Sequence, residues 1–134
     1  MTDADLVAKK LAFIETCLRE LRQEARPAML HEVRELRFVE HTLQIAIQSA
    51  MDAASHIVSD ERLGEPGTNR ALFETLAKHG WIPEALAQGL ARMAGFRNIL
   101  VHGYTEVDPS VVRDVLENHL GDLDAFVAAV RARL

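Results

Sequence analysis

Apolar residues recur every three or four positions along most of this chain, which is the spacing of one face of an α-helix. The pattern predicts five helices, over residues 3–25, 29–59, 70–79, 83–102 and 109–134. Pro27 ends the first helix, because the residue before a proline avoids the α region. Thr2 or Asp3 can cap the first helix, and Thr68 or Asn69 the third. Gly80 stops the third helix, and Asp108-Pro109 has the cap-then-proline order that begins a helix. Gly121 is a weak point in the last helix, but the apolar phase continues through it.

These elements predict an all-α fold, an up-and-down helical bundle of about five helices within a single domain, residues 1–134. The second predicted helix would be about 45 Å long. A helix of that length extends beyond the core of so small a bundle. We therefore expect helices of two copies to pack together in a homodimer.

Composition narrows the function classes. The chain has 134 residues, a formal net charge of −5 and one cysteine, Cys17. No internal disulfide and no cysteine-based zinc site can form, and Cys17 lies on an apolar stripe, where a small core residue is expected. The whole molecule repels a phosphate backbone, so any nucleic-acid contact needs a local basic cluster. The sequence has neither an apolar run of about 18 residues nor a leader-like start, so we expect a cytoplasmic protein without a membrane span.

The candidate chemistry lies in the string RNILVHGY, residues 97–104. Arg97 falls in phase with the apolar face of the fourth helix, where a charge is costly unless something polar meets it. Asn98 and His102 are four positions apart, so the amide could orient the imidazole. Gly103 releases the chain and lets Tyr104 fold back. A guanidinium, an imidazole and a phenol are thus predicted to converge, without a carboxylate that would suggest a metal.

Other interpretations of these residues remain open. Arg97 could form an ion pair with Glu106 or Asp108. His102 could have only a structural role, in which its charge interacts favourably with the dipole at the helix C-terminus. Tyr104 could cover the end of the bundle. The spacing alone is weak evidence, because an arginine followed closely by a histidine occurs four times in the chain. The pairs are Arg26/His31, Arg34/His41, Arg97/His102 and Arg113/His119. Only the Arg97 copy is followed by Tyr104, the single tyrosine of the chain.

The fuller pattern Arg-x4-His-x-Tyr, within RMAGFRNILVHGY, resembles the signature of the HepT-like (formerly DUF86) branch of the HEPN superfamily of ribonuclease toxins. Two further segments resemble the same family in the same order. EHTLQIAIQSAMDAASHIV is similar to its long second helix, and VDPSVVRDVLENHLGDLDAFV to its last helix. The resemblance covers most of the chain, although Gly103 and Gly121 replace residues that are commonly bulkier.

The resemblance implies a function. Arg97 and His102 match the family's catalytic pair, and Asn98 matches its supporting polar residue. Tyr104 matches the tyrosine that a cognate MntA-type nucleotidyltransferase antitoxin modifies with AMP. The family also implies a homodimer with one composite cleft. The expectation is a toxin–antitoxin endoribonuclease that cleaves RNA without a metal or cofactor.

A second function class remains possible. The chain could be a non-catalytic helical partner, or substrate-binding subunit, of a minimal nucleotidyltransferase, and its net negative charge mildly favours that interpretation. A plain structural dimer is a third. RNA cleavage that depends on Arg97 and His102 separates the first interpretation from the other two.

Overall fold

The computed structural model describes residues 2–102 and 107–134. Over these ranges every regular element is a helix, which confirms the all-α prediction. The elements are α1 (Ala4–Glu24), a short 3-10 turn (Pro27–Met29), α2 (Val33–Asp60), α3 (Asn69–Lys78), α4 (Glu84–His102), α5 (Pro109–Asn118) and α6 (Leu120–Arg131). None of these helices is long and apolar enough to cross a membrane.

Helix α2 is the centre of the bundle, because all five other α-helices pack against it. α1 lies along α2, α3 packs on α4, and α6 contacts both α1 and α4. The largest fully buried side chains come from all of these except α5; they include Leu11, Leu43, Phe73, Leu90 and Phe126. Phe73 of α3 meets Phe126 of α6 edge to face, with ring centroids 6.2 Å apart. Each helix therefore contributes its apolar stripe to one core.

The helix ends follow the signals in the sequence. The carboxylate of Asp3 accepts from the Leu6 amide, and the hydroxyl of Thr68 accepts from the Ala71 amide. Asp108 accepts from the Ser110 amide at 2.8 Å, so it caps α5 as expected. Gly80 follows α3 with a φ of 79°, which suits glycine at the end of a helix.

The prediction that the second helix starts near Met29 is wrong by one turn. Residues 27–29 form a 3-10 turn instead, and α2 begins at Val33. Glu32 is extended, and the Glu35 carboxylate accepts from the Arg26 amide at 2.8 Å. This bond ties the segment before α2 to the first turn of α2, and Leu30 is buried in between.

The prediction of one helix from Pro109 to the C-terminus is also wrong. The helix breaks at His119, whose φ and ψ of −122° and −1° lie outside the α region. α5 packs mainly on α2, whereas α6 packs mainly on α1 and α4. Because the two segments have different main partners, their helix axes point in different directions. Tertiary packing therefore breaks the helix, although the apolar spacing continues through the break. Gly121 lies in the first turn of α6, two residues after the break.

Candidate active site

The C-terminal end of α4 presents the polar residues that the sequence singled out. Leu86, Leu90, Met93 and Leu100 are buried, which confirms the apolar face of this helix. Arg97 lies at the edge of that face and is half-buried, while Asn98 and His102 are exposed. The buried apolar side chains thus anchor α4 in the core, while the Asn98 amide and the His102 imidazole face outward.

Arg97 meets a neutral partner. Its Nη1 donates to Oδ1 of Asn98 at 3.0 Å. Its Nε atom is buried and has no hydrogen-bond partner in the part of the chain that the structure describes. A guanidinium has five N–H donors, and the described residues use one of them. Its charge is not neutralised by the amide.

Asn98 holds the arginine rather than the histidine. Its amide oxygen is the acceptor for Arg97, and among residues 2–102 and 107–134 no hydrogen bond joins Asn98 to His102. The predicted contact between the amide and the imidazole is therefore absent. The hydrogen bond of Asn98 thus lies on the guanidinium side of the candidate site.

The structure removes one of the structural explanations for Arg97. Among residues 2–102 and 107–134, the Asp108 carboxylate accepts hydrogen bonds from the amide and the hydroxyl of Ser110, at the start of α5. These bonds lower the pKa of Asp108, first through the backbone amide and then through the hydroxyl. In the described ranges no ion pair joins Asp108 to Arg97. The other proposed partner, Glu106, lies outside the described residues.

Two further expectations concern the placement of Tyr104 and the absence of a metal. Gly103 and Tyr104 also lie outside the described residues. Over residues 2–102 and 107–134, no three His, Cys, Asp or Glu side chains lie together as a metal site would require. Metal independence stays a prediction that only activity measurements can test.

Cys17 is a core residue, as its place on an apolar stripe predicts. It is buried in α1, and burial raises the pKa of its thiol to about 11. A thiol is a weak nucleophile when it remains protonated at neutral pH. Cys17 therefore takes no part in the candidate site.

A groove on α2 lies beside the α4 segment and was not singled out from the sequence. It has a volume of about 270 Å³ and is lined by Arg37, Glu40, His41, Gln44 and Leu100. Glu40 is only 9% exposed and accepts from Arg37 at 2.7 Å. The available signal was a glutamate in phase with the apolar positions Leu36, Leu43 and Ile47.

The HepT-like family model, described as "Ribonuclease HepT-like", matches residues 11–130. The chain belongs to the HepT-like ribonuclease family. The resemblance and the prediction of an RNA-cleaving enzyme are confirmed at this level.

Individual relatives agree over nearly the full chain. The mRNA nuclease HepT of Shewanella oneidensis is 30% identical over 130 residues, which are 96% of this chain and 98% of that protein. The tRNA nuclease HepT of Aphanizomenon flos-aquae is 33% identical over 95 residues, 71% of this chain and 65% of that protein. The solved structure of the tri-AMPylated Shewanella oneidensis HEPN toxin in complex with MNT antitoxin matches with a TM-score of 0.88 and 30% identity, covering 98% of this chain and 99% of that one.

Proposed function

We propose that this chain is the toxin of a toxin–antitoxin pair, an endoribonuclease whose Arg97 and His102 cleave RNA in the cytoplasm. The observation that supports this assignment most strongly is at the end of α4. In a chain of the HepT-like ribonuclease family, a guanidinium whose one hydrogen bond among the described residues is to a neutral amide lies in the same segment as an exposed imidazole. Similar proteins are an mRNA nuclease and a toxin in complex with an MNT antitoxin. We assign an MntA-type nucleotidyltransferase as the antitoxin of this chain.

The active form is a homodimer whose two α4 segments line one cleft. Arg97 and His102 are five positions apart, so their side chains leave an α-helix in directions that differ by about 140°. Two copies of the helix across a twofold axis supply both groups on each side of a bound strand. The side chain of Ile99, next to this pair, is 55% exposed. An isoleucine in that position gains free energy when a second copy covers it.

The chemistry uses the 2′-hydroxyl of RNA as the nucleophile. One His102 imidazole accepts the 2′-OH proton while the 2′-oxygen forms a bond to phosphorus. The bond from phosphorus to the 5′-oxygen breaks, and a protonated His102 of the other copy donates to that oxygen. The products are a 2′,3′-cyclic phosphate and a 5′-hydroxyl. Arg97 stabilises the negative charge that develops on the phosphoryl oxygens.

RNA cleavage by the purified protein tests this assignment. We expect cleavage that persists in EDTA, because neither proton transfer nor charge stabilisation in this scheme uses a metal ion. A strand with deoxyribose at the cleaved position should resist, because it lacks the nucleophile. Activity that is lost in EDTA and restored only by a divalent ion would contradict the mechanism. RNA binding without any cleavage would favour the non-catalytic partner of a nucleotidyltransferase.

Control of the toxin acts through Tyr104. An AMP group on its phenol adds a phosphate seven positions after Arg97, and a guanidinium binds phosphate oxygens through paired hydrogen bonds. The modified tyrosine would then occupy Arg97 and block the cleft. The similar Shewanella toxin is itself tri-AMPylated, which supports this mode of control, and Tyr104 is the only tyrosine here.

A Tyr104→Phe variant tests the control step. Phenylalanine keeps the ring but lacks the oxygen that accepts AMP, so cells should stay growth-arrested when the antitoxin is co-expressed. Wild-type toxin with the same antitoxin is the control and should permit growth. Restored growth with Tyr104→Phe would show that AMP on this residue is not what neutralises the toxin.

A further inference from the structure

One face of α2 presents a line of basic and polar side chains that leads to the α4 segment. Arg34, Arg37, His41 and Gln44 are spaced three, four and three positions apart, so they share one face of the helix. We call these four residues the α2 strip. Three of them line the groove whose opposite wall is Leu100. Leu100 lies between Arg97 and His102 on α4, so the strip ends beside the proposed catalytic pair.

Two residues of the strip have no polar partner among the described residues. Within the described ranges neither Arg34 nor His41 forms a hydrogen bond or ion pair. Arg37 uses Nη1 for Glu40, and no other hydrogen bond of Arg37 occurs among those residues. By comparison, Arg22 and Arg131 are each bound by a carboxylate through two nitrogens. The strip therefore offers positive charge to a ligand, on a molecule whose net charge is −5.

Glu40 explains how Arg37 is held. A carboxylate that is almost buried is costly unless a charge or hydrogen bond meets it. Arg37 supplies both at 2.7 Å, while its own side chain remains 61% exposed. The pairing fixes one end of the guanidinium against α2 and leaves its other donors at the surface. Bidentate donors of this kind suit phosphate oxygens.

We infer that the α2 strip binds the phosphate backbone of the RNA substrate and directs the strand to Arg97 and His102, with Arg37 as its principal contact and Glu40 as the residue that positions Arg37. The inference rests on the proposed ribonuclease function. It assigns a binding surface outside the Arg-x4-His segment. The contact is to backbone phosphate, so it adds affinity without sequence preference.

The test measures RNA affinity in the full-length His102→Ala protein, so that binding is observed without cleavage. The probe is a short fluorescein-labelled single-stranded RNA of mixed sequence, followed by anisotropy over a range of salt concentrations. Adding Arg37→Gln should weaken binding about tenfold, as expected when a charge-assisted hydrogen bond is removed. The slope of log affinity against log salt should fall by about 0.7 for each phosphate that the protein no longer neutralises.

Arg70→Gln is the matched control. Arg70 lies on α3, its side chain is also 61% exposed, and it also pairs with a glutamate, Glu74. This variant should leave both affinity and salt slope unchanged. Arg37→Lys keeps the charge but loses the paired donors, so it should keep the slope and recover only part of the affinity. Equal behaviour of Arg37→Gln and Arg70→Gln would overturn the inference.

Two further outcomes separate this inference from the proposed function. If the wild-type protein cleaves RNA and Arg37→Gln has the same KM and salt slope, only the role of the strip is wrong. If Arg37→Gln weakens binding of a purified nucleotidyltransferase antitoxin but leaves RNA affinity unchanged, the strip is a protein-docking surface and the inference is wrong. If the wild-type protein neither cleaves nor binds RNA, the proposed function fails and the inference fails with it.

Discussion

Two helix ends in this protein have nearly the same residues and very different surroundings. Arg97 and His102 close α4, whereas Arg113 and His119 lie along α5 and at its end. Arg113 is bound by the carboxylate of Glu117 on the next turn, and His119 contacts Asp114 at 3.0 Å. Arg97 has only the neutral amide of Asn98, and His102 has no hydrogen-bond partner within the described residues.

The difference lies in the carboxylates. Arg113 and His119 are each compensated by a carboxylate of α5 itself, so both contacts lie within that helix and its C-cap. At the end of α4 the described residues provide no carboxylate for Arg97 or His102, and the proposed function assigns both side chains to an RNA phosphate. The spacing of the two residue types is therefore a poor guide to function, and the contacts of each side chain are a better one.

The largest expected effect is on RNA cleavage by the two arginine variants. Arg97→Ala should lower the cleavage rate by about 10²–10³-fold, because a donor to the developing phosphoryl charge is removed. Arg113→Ala should stay within about twofold of wild type, because that guanidinium is bound to Glu117. Initial rates on one RNA substrate measure both. Equal losses of rate would remove the distinction between the two helix ends.

A core substitution tests whether α6, the helix that follows His119, belongs to the core of the bundle. Phe126 is fully buried against Phe73, so Phe126→Ala should lower the free energy of unfolding by about 3–5 kcal/mol. Phe13→Ala is the matched control, because Phe13 is exposed on α1 and its removal should cost less than about 1 kcal/mol. Urea unfolding followed by circular dichroism, at one protein concentration, measures both. Similar costs would mean that α6 is not part of the core as described.

A smaller effect is expected from the two asparagines. Asn98→Ala removes the amide that holds Arg97 and should lower the cleavage rate about 3–10-fold, the size of one ordinary hydrogen bond. Asn118→Ala removes the amide that donates to Asp114 and should not change the rate. A slower rate with Asn118→Ala than with Asn98→Ala would reverse the assignment of the two regions.

The smallest effect concerns pH. Hydrogen bonds from Asn118 and then from His119 lower the pKa of Asp114. A lowered carboxyl pKa contributes stability above the ordinary value near 4, and that contribution disappears as the pH falls through the folded-state value. Asp114→Asn should therefore be slightly less stable than wild type at pH 7, and the two should converge in acid. Thermal unfolding from pH 7 to pH 2 measures this; a constant difference would exclude Asp114 as its source.

Local signals in the sequence were sufficient for much of the fold. The caps at Asp3, Thr68 and Asp108 and the glycine stop at Gly80 depend on neighbouring residues only, and each is present. The break at His119 depends on α5 and α6 having different partners in the bundle, and no periodicity within the segment contains that information.

The candidate site shows the same division. Arg97, Asn98 and His102 were identifiable from the motif, and their place at the end of α4 follows from the apolar phase. The contact between Asn98 and Arg97 depends on rotamers, so spacing alone suggested the wrong partner. The groove of the α2 strip requires α2 and α4 to be adjacent, which only the tertiary structure provides.

The most direct measurement is RNA cleavage in EDTA by the wild type, His102→Ala and His119→Ala, with analysis of the product ends. We expect wild type and His119→Ala to release 2′,3′-cyclic phosphate ends at similar rates, while the rate of His102→Ala falls about 10²–10⁴-fold. Undiminished cleavage by His102→Ala, or products that end in a 3′-hydroxyl, would contradict the proposed mechanism.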